Sequence, residues 1–78
     1  MKKEYFIGSC PICKQGMLEI LKEKKTGKLF ISCDECEAEW KNPQDALSNQ
    51  GATRFHYDLA NSATPQEIEA TGWSKYII

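Results

Sequence analysis

Four cysteines fall in two C-x-x-C pairs, Cys10-Pro11-Ile12-Cys13 and Cys33-Asp34-Glu35-Cys36, with 19 residues between them. Two residues between ligands allow one tight turn to aim two sulfurs and several backbone N–H groups at a single ion. Each pair then supplies half of a tetrahedron, and a hairpin that leaves the first pair and returns at the second completes it. This is the spacing of a four-cysteine zinc site, with Cys10, Cys13, Cys33 and Cys36 as ligands of one Zn2+. Four thiolates close the coordination sphere and leave no position for water, so the expected role of the metal is structural.

Two rival chemistries use the same residues. Disulfides require an oxidising compartment. The amino-terminal run Met1-Lys2-Lys3-Glu4-Tyr5-Phe6-Ile7-Gly8 is basic, but its apolar core is only Tyr5 to Ile7, too short for an export signal, and no stretch reaches transmembrane length. A reducing, cytoplasmic location without membrane contact is therefore expected, and metal is favoured over disulfide. Rubredoxin-like iron is the other metal. The short separation between pairs, without rubredoxin's aromatic and glycine markers, argues for zinc.

The remaining chemistry-bearing residues are sparse. His56 is the only histidine, and four cysteines already satisfy a zinc ion, so it is expected to face solvent. No serine or cysteine nucleophile pairs with a base in the local sequence, and no enzymatic activity is expected. Charge is segregated: the first 31 residues carry seven lysines against three glutamates, whereas the remainder carries two lysines and one arginine against eight acids. The overall charge of −1 disfavours general nucleic-acid binding, although Lys22, Lys24, Lys25 and Lys28, next to Phe30, would form a hairpin patch able to hold phosphates and stack a base. Asp34, Glu35, Glu37 and Glu39 form the opposite pole, an acidic surface suited to a basic partner or simply a solvated turn.

The elements that must position these groups are legible in outline. Tyr5 to Ile7, Met17 to Lys24 and Lys28 to Cys33 read as strands, and Glu39 to Lys41 as a short fourth with Trp40 turned inward. Lys25-Thr26-Gly27 suits a three-residue hairpin loop, which sets Lys22 opposite Phe30 and Leu21 opposite Ile31. Past a seam at Asn42-Pro43, helix punctuation appears. Asn42 caps a helix starting at Pro43 and Gly51 can close it; Thr64, Pro65 and Glu67 form a capping box, Ala63 and Ile68 a hydrophobic staple, and Gly72 a stop. Between these helices Phe55, Tyr57 and Leu59 alternate with Arg54, His56 and Asp58, which predicts a strand with one apolar face. Trp73, Tyr76 and Ile77 recur at helical spacing.

With 78 residues the chain is one domain at most. Residues 1–42 are the metal-bearing portion and residues 43–78 an extension too short to fold alone, expected to dock on it through its aromatic rings. The expected fold class is α+β: an antiparallel β-hairpin with two zinc knuckles, followed by two short helices and one strand.

Cys-Pro-Ile-Cys, Gly16, the run Met17-Leu18-Glu19-Ile20, Gly27, Phe30 and Cys-Asp-Glu-Cys together resemble a zinc ribbon, most similar in rhythm to the small ribbons at the carboxyl end of type IA topoisomerases. The resemblance covers residues 8–41 and implies a ribbon fold with the four cysteines as zinc ligands. Two positions depart from the pattern: such ribbons often place glycine directly after the second cysteine of each pair, where this chain has Lys14 and Glu37. Ribbons of transcription elongation factors carry a catalytic acidic pair at the hairpin tip, but this tip is Lys25-Thr26-Gly27, so that activity does not carry over. Ribbons serve many roles. The expectation here is a non-enzymatic, protein-binding adaptor or regulatory module, with nucleic-acid binding through the hairpin lysines as the alternative.

Overall fold

In a computed structural model, residues 5–57 and 59–78 are described; residues 1–4 and Asp58, parts of the amino-terminal and alternating runs above, lie outside them. Strand β1 (Phe6–Ser9) pairs antiparallel with β2 (Met17–Glu23), which pairs with β3 (Leu29–Cys33), and β3 with the two-residue β4 (Glu39–Trp40). A fifth strand, β5 (Ala60–Ser62), also pairs with β2, beyond the reach of β1. Helix α1 (Pro43–Ser48) follows β4, α2 (Pro65–Thr71) follows β5, and a 3-10 turn (Ser74–Tyr76) ends the chain. This is an open antiparallel sheet with two helices, an α+β arrangement. No helix among the described residues is long and apolar enough to cross a membrane.

The hairpin closes one residue away from the expected register. Leu21 faces Phe30, Lys22 faces Leu29 and Ile20 faces Ile31, and the Glu23 N–H donates to the Lys28 carbonyl at 2.8 Å. Four residues, Lys24 to Gly27, therefore form the loop rather than three. The tip chemistry favours this closure: Thr26 Oγ1 donates to Glu23 Oε1 at 2.6 Å and accepts from the Lys28 N–H at 3.2 Å. It also brings Glu23 opposite Lys28, where the three-residue loop would have set Lys24 against Lys28. Because side chains alternate, a one-residue slip changes which residues share a face. Leu18, Ile20, Ile31, Cys33 and Trp40 share the core side, buried with Ile7, Ala46, Ala63 and Ile68. Residues 43–78 thus contribute Ala46, Ala63 and Ile68 to the same core as the hairpin, with Trp73, Tyr76 and Ile77 half-buried against it. The Ile78 N–H donates to the Phe6 carbonyl at 3.0 Å.

The opposite side of the sheet carries Glu19, Leu21, Phe30, Ser32 and Glu39, and residues 53–57 lie over part of it. Tyr57 stacks on Phe30 with ring centroids 4.0 Å apart, and Glu39, only 8% exposed, accepts from the His56 N–H at 3.0 Å and from Thr53 Oγ1 at 3.3 Å. Among the described residues of the predicted strand, 54–57 and 59, no strand forms. Phe55 adopts a left-handed conformation with φ 59°, incompatible with continuous extension, and both Phe55 and Leu59 are exposed while only Tyr57 packs. The strand begins directly after this segment instead, at β5.

Local helix signals fare better. Asn42 caps α1 by accepting from the Asp45 N–H at 2.8 Å, but the helix ends at Asn49, in a left-handed conformation, two residues before Gly51. In α2 the capping box of Thr64 and Glu67 forms, and Gly72 ends the helix.

Candidate metal centre

Each cysteine pair lies in a turn joined to a strand of the sheet, and the pairing of β1, β2 and β3 brings the two turns together. In the first, the Cys10 N–H donates to the Gly16 carbonyl at 2.9 Å and the Lys14 N–H to the Cys10 carbonyl at 3.1 Å; in the second, the Cys33 N–H donates to the Ala38 carbonyl at 2.9 Å. Lys14 and Glu37, the residues directly after the second cysteine of each pair, are both left-handed, with φ 58° and 63°. They occupy the conformation for which glycine is the usual choice, so the two departures are in residue type and not in backbone geometry.

The four sulfurs all lie within 4.8 Å of one another. Cys10 Sγ is 3.7 Å from Cys36 Sγ, and Cys13 Sγ is 3.6 Å from Cys33 Sγ. All four are free thiols. Tetrahedral thiolates at a Zn–S distance of about 2.3 Å would be separated by about 3.8 Å, so the contacts across the two turns fit a zinc-sized ion. Cys10 and Cys33 are buried, Cys13 and Cys36 half-buried.

The backbone around the cluster is arranged for negative sulfur. The N–H groups of Ile12, Gly16, Glu35 and Cys36 point at Cys10, Cys13, Cys33 and Cys33 respectively, each at 3.4 Å. Backbone hydrogen bonds from Gln15 and Gly16 lower the Cys13 thiol from its ordinary 9.0 to about 6, with help from Cys33 and Cys10. Burial pushes Cys33 up to about 12. For Cys36 burial works upward too, but the Ala38 backbone and the thiols of Cys33 and Cys10 outweigh it and the net shift is downward. The surroundings thus favour the thiolate at Cys13 and Cys36 and disfavour it at Cys33, and a bound cation would favour the thiolate form of a ligand.

Gly16 is the packing condition of the site. A Cβ there would fall 2.5 Å from Cys33 Sγ, 2.8 Å from Asp34 Oδ1 and 2.9 Å from Glu35 Cβ, so the first turn approaches the second only because this residue has no side chain. Asp34 Oδ1 accepts from the Met17 N–H at 2.8 Å, and the Asp34 N–H donates to the Met17 carbonyl at 3.1 Å, which fastens the second turn to the start of β2. Arg54 Nε reaches the Cys36 carbonyl at 3.1 Å; nothing in the local sequence marks that residue.

Among the other candidate residues, Lys22, Phe30 and Glu39 are placed differently from expectation, whereas Lys24, Lys25, Lys28 and His56 are exposed as expected. Lys22 is drawn to α2, where its Nζ lies 2.6 Å from Glu67 Oε2. Phe30 is 2% exposed beneath Tyr57 and presents no face for a base. Lys24, Lys25 and Lys28 remain exposed at the hairpin end. Glu39 belongs to the buried underside of the 53–57 loop, so the acidic surface reduces to Asp34, Glu35 and Glu37. His56 is exposed and meets the Tyr57 ring edge-on at 4.9 Å; with Thr53 and Lys41 it lines a polar cleft of about 500 Å3.

No family model, curated protein or solved structure matches this chain. The likeness to topoisomerase ribbons therefore rests on the residues quoted for it alone, whereas the four-cysteine cluster rests on geometry.

Proposed function

We propose that the chain is a non-enzymatic, cytoplasmic zinc-ribbon protein in which Cys10, Cys13, Cys33 and Cys36 hold one structural Zn2+, and that it works as a protein-binding adaptor or regulatory module. The metal half of this reading is carried by the sulfur separations of 3.6 and 3.7 Å, together with an all-cysteine donor set, which suits zinc among the divalent ions. When bound, the ion supplies charge compensation and a cross-link between the two turns; the chain supplies N–H donors to the sulfurs and the close approach at Gly16.

The binding half is supported by the loop over Phe30. Phe55 is 81% exposed in a left-handed conformation, which costs a residue with a Cβ about 1–2 kcal/mol. Its neighbours are tied down on both sides: Thr53 exchanges backbone hydrogen bonds with Glu39 at 2.7 and 2.9 Å and Arg54 bonds to Cys36, while the His56 N–H bonds to Glu39 and Tyr57 stacks on Phe30. A rigidly presented aromatic loses little entropy on docking, and such residues dominate protein interfaces. Leu59, four residues on, is also largely exposed, at 72%.

The test uses the zinc-loaded full chain as bait in native extract, read for both proteins and nucleic acid, beside a Phe55→Ser variant and a variant with Lys24, Lys25 and Lys28 changed to Gln. The reading expects a protein retained at high salt, kept by the glutamine variant and lost with Phe55→Ser at unchanged zinc content. Salt-sensitive retention of nucleic acid, abolished only in the glutamine variant, would replace it with the nucleic-acid reading.

A further inference from the structure

The two cysteine turns are fastened differently. The first is closed among its own residues: the Cys10 N–H donates to the Gly16 carbonyl at 2.9 Å, the Lys14 N–H to the Cys10 carbonyl at 3.1 Å, and the Gly16 N–H points at Cys13 Sγ. The second is held from outside at both ends. Asp34 ties its start to Met17. Its far end is tied to residues 53–57: Arg54 Nε donates to the Cys36 carbonyl at 3.1 Å across 18 positions of sequence. Just beyond Cys36, Glu39 exchanges backbone hydrogen bonds with Thr53 at 2.7 and 2.9 Å, and its carboxylate accepts from Thr53 Oγ1 at 3.3 Å and from the His56 N–H at 3.0 Å. Arg54 also borders the first turn, since it lines a cleft of about 200 Å3 with Ile12, Ala38, Ala52 and Thr53.

Cys36 is the ligand on which these ties act. Its Sγ faces Cys10 Sγ at 3.7 Å, one of the two contacts that join the turns around an ion. Holding the carbonyl of a ligand residue fixes the peptide plane beside its Cα and narrows where its sulfur can go. Outer contacts of this kind orient metal ligands, and their loss weakens the metal.

We infer that Arg54 is a positioning residue of the metal centre and that the 53–57 loop is its clasp: with the clasp closed Cys36 stays on the ion, and with it open Cys36 is the first ligand to leave. Because Phe55 directly follows Arg54, the clasp and the surface read above as a docking site are one segment. The inference rests on the zinc reading of the four cysteines and not on the protein-binding one.

The test compares the zinc-loaded wild-type chain with Arg54→Ala, Arg54→Lys and Ile68→Val, the last a change at a buried core position on α2. Two quantities are read: the initial rate of iodoacetamide alkylation at each cysteine, located by mass spectrometry, and zinc affinity by equilibrium chelator competition. Arg54→Ala should raise alkylation of Cys36 about two- to tenfold, the worth of one hydrogen bond, and weaken zinc by a like factor. Cys13, the other half-buried ligand, should stay near its wild-type rate. A side chain that merely shielded Cys36 from reagent would leave the equilibrium affinity unchanged. Arg54→Lys, which keeps the charge without the fixed fork of donors, should recover part of the loss. Ile68→Val, which loosens the fold as a whole, should raise all four cysteines together. Equal acceleration of Cys13 and Cys36 in Arg54→Ala, or unchanged zinc affinity there, would overturn the inference while the zinc reading stands; a wild-type chain that takes up no zinc would overturn both.

Discussion

Replacing Lys14 and Glu37 with glycine should stabilise the protein. Both residues are left-handed, at φ 58° and 63°, and both side chains are exposed, with no hydrogen bond or ion pair among the described residues. Their removal therefore sacrifices no contact. Relief of the left-handed conformation is worth about 1–2 kcal/mol per site, and the extra freedom of glycine in the unfolded chain takes back about 0.4–1 kcal/mol. The net gain is about 0.5–1 kcal/mol for each change. The two sites share no partner, so the double variant should gain about 1–2 kcal/mol. One substitution removes a positive and the other a negative charge, leaving the net charge of −1 untouched. The measurement is urea unfolding at fixed free zinc, followed by tryptophan fluorescence, because metal that binds only the folded state adds to apparent stability. Lys14→Ala and Glu37→Ala serve as controls: they remove the same charges, keep a Cβ, and should give no such gain. Glycine variants no more stable than their alanine counterparts would show that the backbone at these turns is not strained, and the reasoning would fail.

Purified protein should contain one zinc per chain by elemental analysis, and serine at any of Cys10, Cys13, Cys33 or Cys36 should abolish cooperative unfolding; native amide dispersion after complete chelation under reducing conditions would contradict this. Gly16→Ala should weaken zinc in chelator competition, because its Cβ would meet Cys33 Sγ at 2.5 Å and backbone-proximal atoms of the second turn; an unchanged affinity would mean that the turns can separate freely. Trp40, 1% exposed, should cost about 3–5 kcal/mol on truncation to alanine in the same urea assay. Glu67 is held down from its ordinary 4.5 to about 2, first by the hydrogen bond from Lys22 and then by the Thr64 N–H. A depressed carboxyl stabilises the fold in its ionised state, so its contribution is present above about pH 4.5 and is lost as pH falls through about 2. The stability difference between wild type and Glu67→Gln should accordingly narrow below pH 4.5, and a difference that widened there would refute the assignment.

Features governed by a few neighbouring residues were legible before any fold was known. The C-x-x-C turns need only their own backbone to aim two sulfurs one way, and the second helix needs only Thr64, Glu67 and Gly72 to start and stop. The short segment around Trp40 predicts that its ring turns inward, and the residue is buried. Where the determinants lie far apart, the same reasoning failed. The alternation of Phe55, Tyr57 and Leu59 reads as a strand, yet the course of this segment depends on a buried carboxylate at Glu39 and on Phe30, neither of them a neighbour in sequence.

By itself the sequence determined the four cysteines that could hold a metal, the hairpin that joins the two pairs, the starts of both helices and the end of the second, because each rests on turn and cap chemistry spanning only a few residues. Tertiary structure decided the burial of Phe30 beneath Tyr57, the diversion of Lys22 to a glutamate 45 residues away, and the course of residues 53–57 over Glu39. Each of these depends on which distant surface a side chain meets. A one-residue slip, set by hydrogen bonds among Glu23, Thr26 and Lys28 at the tip, is enough to move a whole strand's side chains from one face to the other.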